Sequence, residues 1–234
     1  MKKITLICFV FSAFAIFFHS CKDTSGDYIE NLYTKQDLQS ICKECLYFCK
    51  DTAISHLCIP GGFSTTTYAI TLPNNNSYKM LRDTMVILGK ADLIDSLQNS
   101  LNLSCEAMGN AANTALKNAI KNCFFENPRR LISSSSNTSI TTYFSEKKEV
   151  EIQTSLKSTL EANMVTTGAI TWWNTILNTY NSHAPTQPLY DLGLTTEVLQ
   201  QLTNAFFQEM KAEEILIRTD PSHRITSNLQ NIFK

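Results

Sequence analysis

Between Ala91 and Phe124 the apolar residues recur at Leu93, Leu97, Leu101, Cys105, Met108, Ala112, Ala115, Ala119 and Cys123. Steps of three and four trace one stripe of an α-helix. Read as a single helix from 91 to 124, it would run on the order of 50 Å. Ala112, Ala115 and Ala119 make a narrow edge that lets a second helix approach closely, and Leu116, Ile120 and Phe124 widen the stripe. A helix of that length with one apolar face requires other helices to cover it. The expectation is an all-α chain: a single helical domain of about seven or eight helices around this long central one.

The remaining helices follow from local signals. Thr34-Lys35-Gln36-Asp37 has the hydroxyl and carboxylate spacing of a capping box. Leu38, Ile41, Cys42, Cys45, Phe48, Cys49 and Ala53 continue from it at helical spacing, to an end near Leu57. Phe63 to Ser77 reads as a loop or extended arm. Its β-branched run from Thr65 to Thr71 could form a short strand, with nothing obvious to pair with. Leu72 precedes Pro73 and is therefore extended. Ser77 is placed to cap a short helix through Leu81, Met85 and Leu88, stopped by Gly89. Asn127-Pro128 opens another short helix to Ile132, followed by the serine loop 133–136. A helical pattern resumes at Thr138 through Tyr143, Phe144, Val150, Ile152, Leu156 and Leu160, with a bend expected near Lys148. Thr167-Gly168 opens a helix with Trp173, Ile176, Leu177 and Tyr180 on one face. Thr195 is placed to cap a long helix through Leu199, Leu202, Phe206, Met210 and Ile217. Asp220-Pro221 is placed to open the last helix, with Ile225, Leu229, Ile232 and Phe233 facing in.

The N-terminus carries a different kind of signal. Lys2 and Lys3 precede an apolar run from Ile4 to Phe18, the length of a signal-peptide core and short for a membrane span. Then comes Phe18-His19-Ser20-Cys21, a small residue directly before a cysteine, which resembles the lipobox of bacterial lipoproteins. The organisation expected is a signal peptide at 1–20, cleavage between Ser20 and Cys21, a lipidated Cys21 with a short polar tether at 21–32, and a helical domain at 33–234. An ordinary secretory signal and a retained membrane anchor are the alternatives. Several acyl chains, palmitate among them, would hold the protein durably on a bilayer. Lys22 rather than Asp follows Cys21, so the enterobacterial signal for inner-membrane retention is absent. The expected location is the bacterial cell envelope, on the outer membrane facing the periplasm, with surface display as a variant.

Composition narrows the function classes. With 234 residues, 43% hydrophobic content and a net charge of −1, the chain can bury a real core but lacks the basic excess of a general nucleic-acid binder. Eight cysteines raise the question of metal or redox chemistry. Cys42, Cys45 and Cys49 fall on one helix face, shared with Leu38 and Ala53, where cysteine acts as a small buried hydrophobe. A zinc site needs a second pair or suitably spaced histidines, and a thioredoxin-type pair belongs at a helix start after a strand. Disulfides among Cys42, Cys45, Cys49, Cys58, Cys105 and Cys123 stay open. The densest polar cluster is Glu209, Glu213, Glu214, Arg218, Asp220, His223 and Arg224. It reads either as a carboxylate and arginine site for a polar ligand, or as helix chemistry: Glu214 and Arg218 form a favourable i, i+4 pair, and Arg218 and Asp220 suit the helix ends they occupy. No phosphate loop, nucleophile elbow or zinc-protease motif is present, and no catalytic, cofactor or metal residues are assigned.

Several stretches together resemble a known family. They are Thr34-Lys35-Gln36-Asp37-Leu38, Pro60-Gly61-Gly62-Phe63, Ile70-Thr71-Leu72-Pro73, Asn110-Ala111-Ala112, Thr141-Thr142-Tyr143-Phe144 and Gly168-Ala169-Ile170-Thr171. The most specific is the closing run Glu213-Glu214, Ile217-Arg218, Asp220-Pro221, Arg224 and Thr226. From about Leu32 to Lys234 the chain resembles the uncharacterised bacterial lipoprotein family called domain of unknown function 4197. It departs from that pattern at Pro128, in the serine loop and in its cysteines. The resemblance implies a largely helical envelope lipoprotein, acylated at Cys21, with no catalytic residues to carry over. Three functions are expected in descending order. The first is a non-enzymatic, membrane-anchored scaffold that binds an unidentified envelope protein. The second is a carrier of a lipid or other apolar ligand, held between the long helix and the Trp173 helix. The third is an enzyme using the Glu213, Arg218 and Asp220 region.

Overall fold

The computed structural model describes residues 32–234. The expected signal peptide, the Ser20–Cys21 junction and all of the tether but Leu32 lie outside the described residues.

The first helix, α1 (Lys35–Leu57), starts where the capping box predicts. The Asp37 amide donates to Thr34 Oγ1 at 3.2 Å and the Thr34 amide donates to Asp37 Oδ2 at 2.8 Å. Its apolar face buries Leu38, Ile41, Cys42, Cys45, Leu46, Cys49 and Ala53. The chain then turns sharply at Gly61 and Gly62. A Cβ on Gly62 would stand 2.4 Å from the Leu57 carbonyl oxygen, so only glycine lets the backbone fold back on the end of α1.

After α2 (Asn76–Ile87), capped by Asn75 rather than Ser77, the stretch expected to be one long helix is two. α3 covers Ala91–Glu106 and α4 covers Gly109–Lys121. Ala107 and Met108 between them have ψ near 0°, which ends the helical ladder. The break has a packing cause. α3 lies against α7, α6 and α2, whereas α4 lies against α1 and α6, and a straight rod could not reach both sets. Gly109 sits at the corner, where an added Cβ would come 3.2 Å from Cys58 Cβ. The apolar spacing survives the bend, because Leu97, Leu101, Cys105, Met108, Ala112 and Ala119 are all buried. Phe124 falls beyond α4 and is exposed, so it does not widen the stripe.

α5 (Pro128–Ile132) follows Asn127 as predicted. α6 (Ser139–Thr166) is one continuous helix through Lys148, and Val150 points outward. α7 (Ala169–His183) buries Trp173, Ile176 and Tyr180. α8 (Leu194–Thr219) begins after Gly193 instead of at a Thr195 cap, and packs along both α1 and α6. Asp220-Pro221 opens only a 3-10 turn, Pro221–His223. Thr226 caps the true last helix, α9 (Ser227–Ile232), which leaves Ile225 exposed. Among the described residues there are thus nine α-helices and no strand, an all-α fold around one continuous core. No described helix is long and apolar enough to cross a membrane.

Candidate functional site

The polar cluster on α8 sits inside the protein rather than on a solvated face. The Glu214 side chain is 0% exposed and that of Arg218 6%. They form the expected i, i+4 pair, with Arg218 Nε donating to Glu214 Oε1 at 2.9 Å. Both also reach away from their own helix. Glu214 Oε1 accepts from the Ile140 amide at 3.1 Å and Oε2 from the Thr141 amide at 2.7 Å. Those are amides of the first turn of α6, which Thr138 leaves without a side-chain cap. Arg218 Nη1 donates to the Ile132 carbonyl at 2.9 Å and Nη2 to the Leu131 carbonyl at 3.0 Å, the open end of α5. Nη2 also donates to Ser139 Oγ at 2.9 Å. The guanidinium lies 4.7 Å from the centre of the Phe233 ring, which brings the C-terminus onto the same point. A carboxylate at a helix N-terminus and a cation at a helix C-terminus both suit the helix dipoles. The pair therefore closes the α5–serine loop–α6 hairpin from across the core.

The neighbouring residues act similarly but separately. Arg224 Nε donates to the Ile217 carbonyl and Nη2 to the Arg218 carbonyl, both at 2.8 Å, which caps α8 itself. Asp220 accepts from the Ser222 amide and hydroxyl, and these bonds hold its carboxyl below the usual carboxylate range. Glu213 faces His223 instead, Oε1 to Nδ1 at 2.9 Å. Glu209 meets His56 of α1, Oε2 to Nδ1 at 2.9 Å. Partial burial, with the Glu209 charge and hydrogen bond beside it, raises the Tyr68 phenol. The structure brings Glu214 and Arg218 together, and leaves Glu213, Asp220 and Arg224 each on its own partner.

A second group of polar residues gives no signal in the sequence. Four side-chain amides pair with backbone as a strand would. Asn102 on α3 accepts from the Ile70 amide at 2.8 Å and donates to its carbonyl at 3.2 Å. Gln201 on α8 does the same for Thr71, at 3.1 and 2.9 Å. Consecutive residues of extended chain point their amides to opposite sides, so the arm at 69–74 is held from two helices. Gln39 pairs with both backbone groups of Phe125, and Asn181 with both of Leu189. Glu106 completes the set by accepting from the Phe63 and Ser64 amides.

The cysteines are core residues. Cys42, Cys45, Cys49 and Cys105 have no exposed surface, and the six described cysteines are all unpaired. Burial pushes the Cys42, Cys49, Cys105 and Cys123 thiols up, and that of Cys58 to about 12. Among the described residues no three His, Cys, Asp or Glu side chains converge as a metal-ligand set.

The seam between α3 and α7, where an apolar ligand was expected, carries Leu97, Leu101, Trp173 and Ile176, all buried in the common core. Beside it lies an open groove of about 540 Å³ with a polar lining that includes Lys90, Asn178, Ser182 and His183. Two further open grooves, of about 440 and 380 Å³, flank Glu126 and Asn127.

No curated protein and no solved structure matches the chain. Residues 32–234 match the family model described as protein of unknown function (DUF4197), and the chain belongs to that family.

Proposed function

We propose that this is a cell-envelope lipoprotein, held on a bilayer by acyl chains on Cys21, whose helical domain is a non-enzymatic scaffold for an envelope protein. The observation that carries the scaffold reading is the fate of the closing polar run. Glu214, Arg218 and Arg224 engage helix ends, and Glu213 and Asp220 are bonded to His223 and Ser222. Residues that join helix ends make a rigid body, which is what a scaffold requires. The anchor rests on the basic start, the apolar run and the Ser20-Cys21 junction. Lys22 rather than Asp after the cysteine supports an outer-membrane position, facing the periplasm or displayed at the surface.

Mass spectrometry of the protein extracted gently from its own membranes tests both parts. The expected intact mass lacks Met1 to Ser20 and carries acyl chains on Cys21. Signal removal with an unmodified Cys21 refutes the anchor. In the native spectrum a bound protein supports the scaffold, and a bound small apolar molecule replaces it with a carrier.

A further inference from the structure

We infer that the corner of the domain around Phe124 is a membrane-docking face, which lies against a bilayer carrying anionic headgroups. This rests on the lipoprotein reading above, since it presumes that Cys21 holds the chain at that surface. Leu32, the first described residue, is 56% exposed, and Phe124, in the turn after α4, is 65% exposed. Large apolar side chains held out in water next to a bilayer gain by entering its interface. Lys35, three residues after Leu32, holds its Nζ 5.4 Å from the centre of the Phe124 ring.

The turn bearing Phe124 is held firmly. Gln39 pairs with both backbone groups of Phe125, the Tyr143 hydroxyl donates to the Phe124 carbonyl at 3.1 Å, and the Phe125 and Tyr143 rings are 5.5 Å apart. Lys43 Nζ donates to the Lys121 carbonyl at 2.6 Å, just before the turn. Phe124 is thus presented outward by a fixed backbone. Cations gather at this corner: Lys35 over the ring, Lys43 on the carbonyl of Lys121, Lys147 beside Glu126 and Tyr143, and Arg130 in the groove of Glu126. The carboxylates at the same corner are fewer. Asp37 is bonded into the α1 cap, Glu126 stands 3.7 Å from Lys147, Glu146 lines the groove of Arg130, and Glu151 is paired with a further cation, Lys148, at 2.6 Å. That excess fits an anionic lipid surface.

Chain length selects the bilayer over other occupants. Cys21 lies eleven residues before Leu32, a stretch that reaches at most about 40 Å when fully extended. The acyl chains therefore tether the domain at this corner, within reach of the headgroups.

The test uses the full acylated protein, its modification verified by intact mass, reconstituted into vesicles of phosphatidylglycerol and phosphatidylcholine with brominated acyl chains. Phe124→Trp is compared with Ile87→Trp, at a position 76% exposed on α2, and with the unsubstituted protein, which supplies the background from Trp172 and Trp173. The expected result is a blue shift and loss of emission from position 124 and neither from position 87. Both effects at 124 should shrink in all-phosphatidylcholine vesicles and in a Lys35→Glu, Lys121→Glu variant. An acylated protein whose position 124 emits as in water overturns the docking face and leaves the anchor standing. A protein without acyl chains that does not sediment with vesicles overturns both. Concentration-dependent dimerisation that shields position 124 without lipid assigns the face to a second copy and overturns the proposal.

Discussion

Replacing Arg218 with alanine should be among the most damaging single changes in the domain. The substitution leaves Glu214 fully buried with a negative charge and no cation. It also strips the Ile132 carbonyl of its donor, leaves the Leu131 carbonyl with the Ser139 hydroxyl alone, and removes the cation above Phe233. Removing one partner of a buried ion pair costs about 3–5 kcal/mol, a large part of the roughly 5–15 kcal/mol by which most domains are stable. Two amides of α6 still neutralise part of the Glu214 charge, which places the expected loss near the lower end, about 3 kcal/mol. Arg218→Lys keeps the charge but not the planar fork, so its loss should be intermediate. The assay is urea unfolding of the full chain in detergent, followed by far-ultraviolet circular dichroism, for Arg218→Ala, Glu214→Ala and the double variant. The double variant should lose clearly less than the two singles combined, because neither charge is then left alone. A loss below about 1 kcal/mol for Arg218→Ala, the size of an exposed pair, with additive singles, would refute the argument that this pair holds the hairpin closed.

Gly62→Ala should cost about 1–3 kcal/mol, the range for overpacking, because its Cβ meets the Leu57 and His56 carbonyls; an unchanged urea midpoint contradicts the tight reversal at the end of α1. The Asp37 and Asp220 carboxyls sit below their ordinary range through bonds to Thr34 and Ser222. The folded state therefore holds fewer protons than the unfolded one, whose aspartates titrate near about 3.9. Their contribution is complete above that pH and lost as pH falls through the folded values, so thermal midpoints should drop below about pH 4, and less so in Asp37→Asn, Asp220→Asn. A midpoint flat from pH 5 to pH 2 contradicts this. At pH 8 the buried thiols should react with an aromatic disulfide reagent only as fast as the protein opens, with half-buried Cys58 first among the described cysteines; immediate stoichiometric reaction of native protein contradicts their burial.

The sequence was most readable where a structural signal lies within a few residues. Thr34 and Asp37 announce the start of α1, Asn127 and Pro128 that of α5, and the Trp173-Ile176-Tyr180 spacing predicts which face of α7 is buried. The Cys42, Cys45 and Cys49 stripe reads correctly as core, because an i, i+3, i+7 pattern shared with leucine and alanine shows its face directly. Periodicity misled between Ala91 and Phe124. A 3.6-residue stripe crosses a tight bend intact when both halves still bury the same side, so the spacing cannot register the break at Ala107 and Met108. The packing behind it, α3 against α7 and α2 but α4 against α1, joins elements far apart along the chain.

The polar residues divide on the same principle. The i, i+4 relation of Glu214 and Arg218 is local and was visible. Its burial was not, because the partners at Leu131, Ile132, Ile140 and Thr141 are 73 to 87 residues away. Asn102, Gln201, Gln39 and Asn181 give no local signal for the same reason. Nothing near them in sequence marks the backbone each one binds.

That amide pairing has a consequence for how the protein survives crowding. An extended arm such as 69–74, at the end of a β-branched run, in an all-helical protein invites another chain to add itself alongside, the first step toward fibrillar aggregates. Here the backbone groups of Ile70 and Thr71 are occupied on both sides, by Asn102 and Gln201, and no edge is offered. For molecules gathered at high density in two dimensions, as the anchor proposed above would gather them, that protection is worth more than it is in dilute solution.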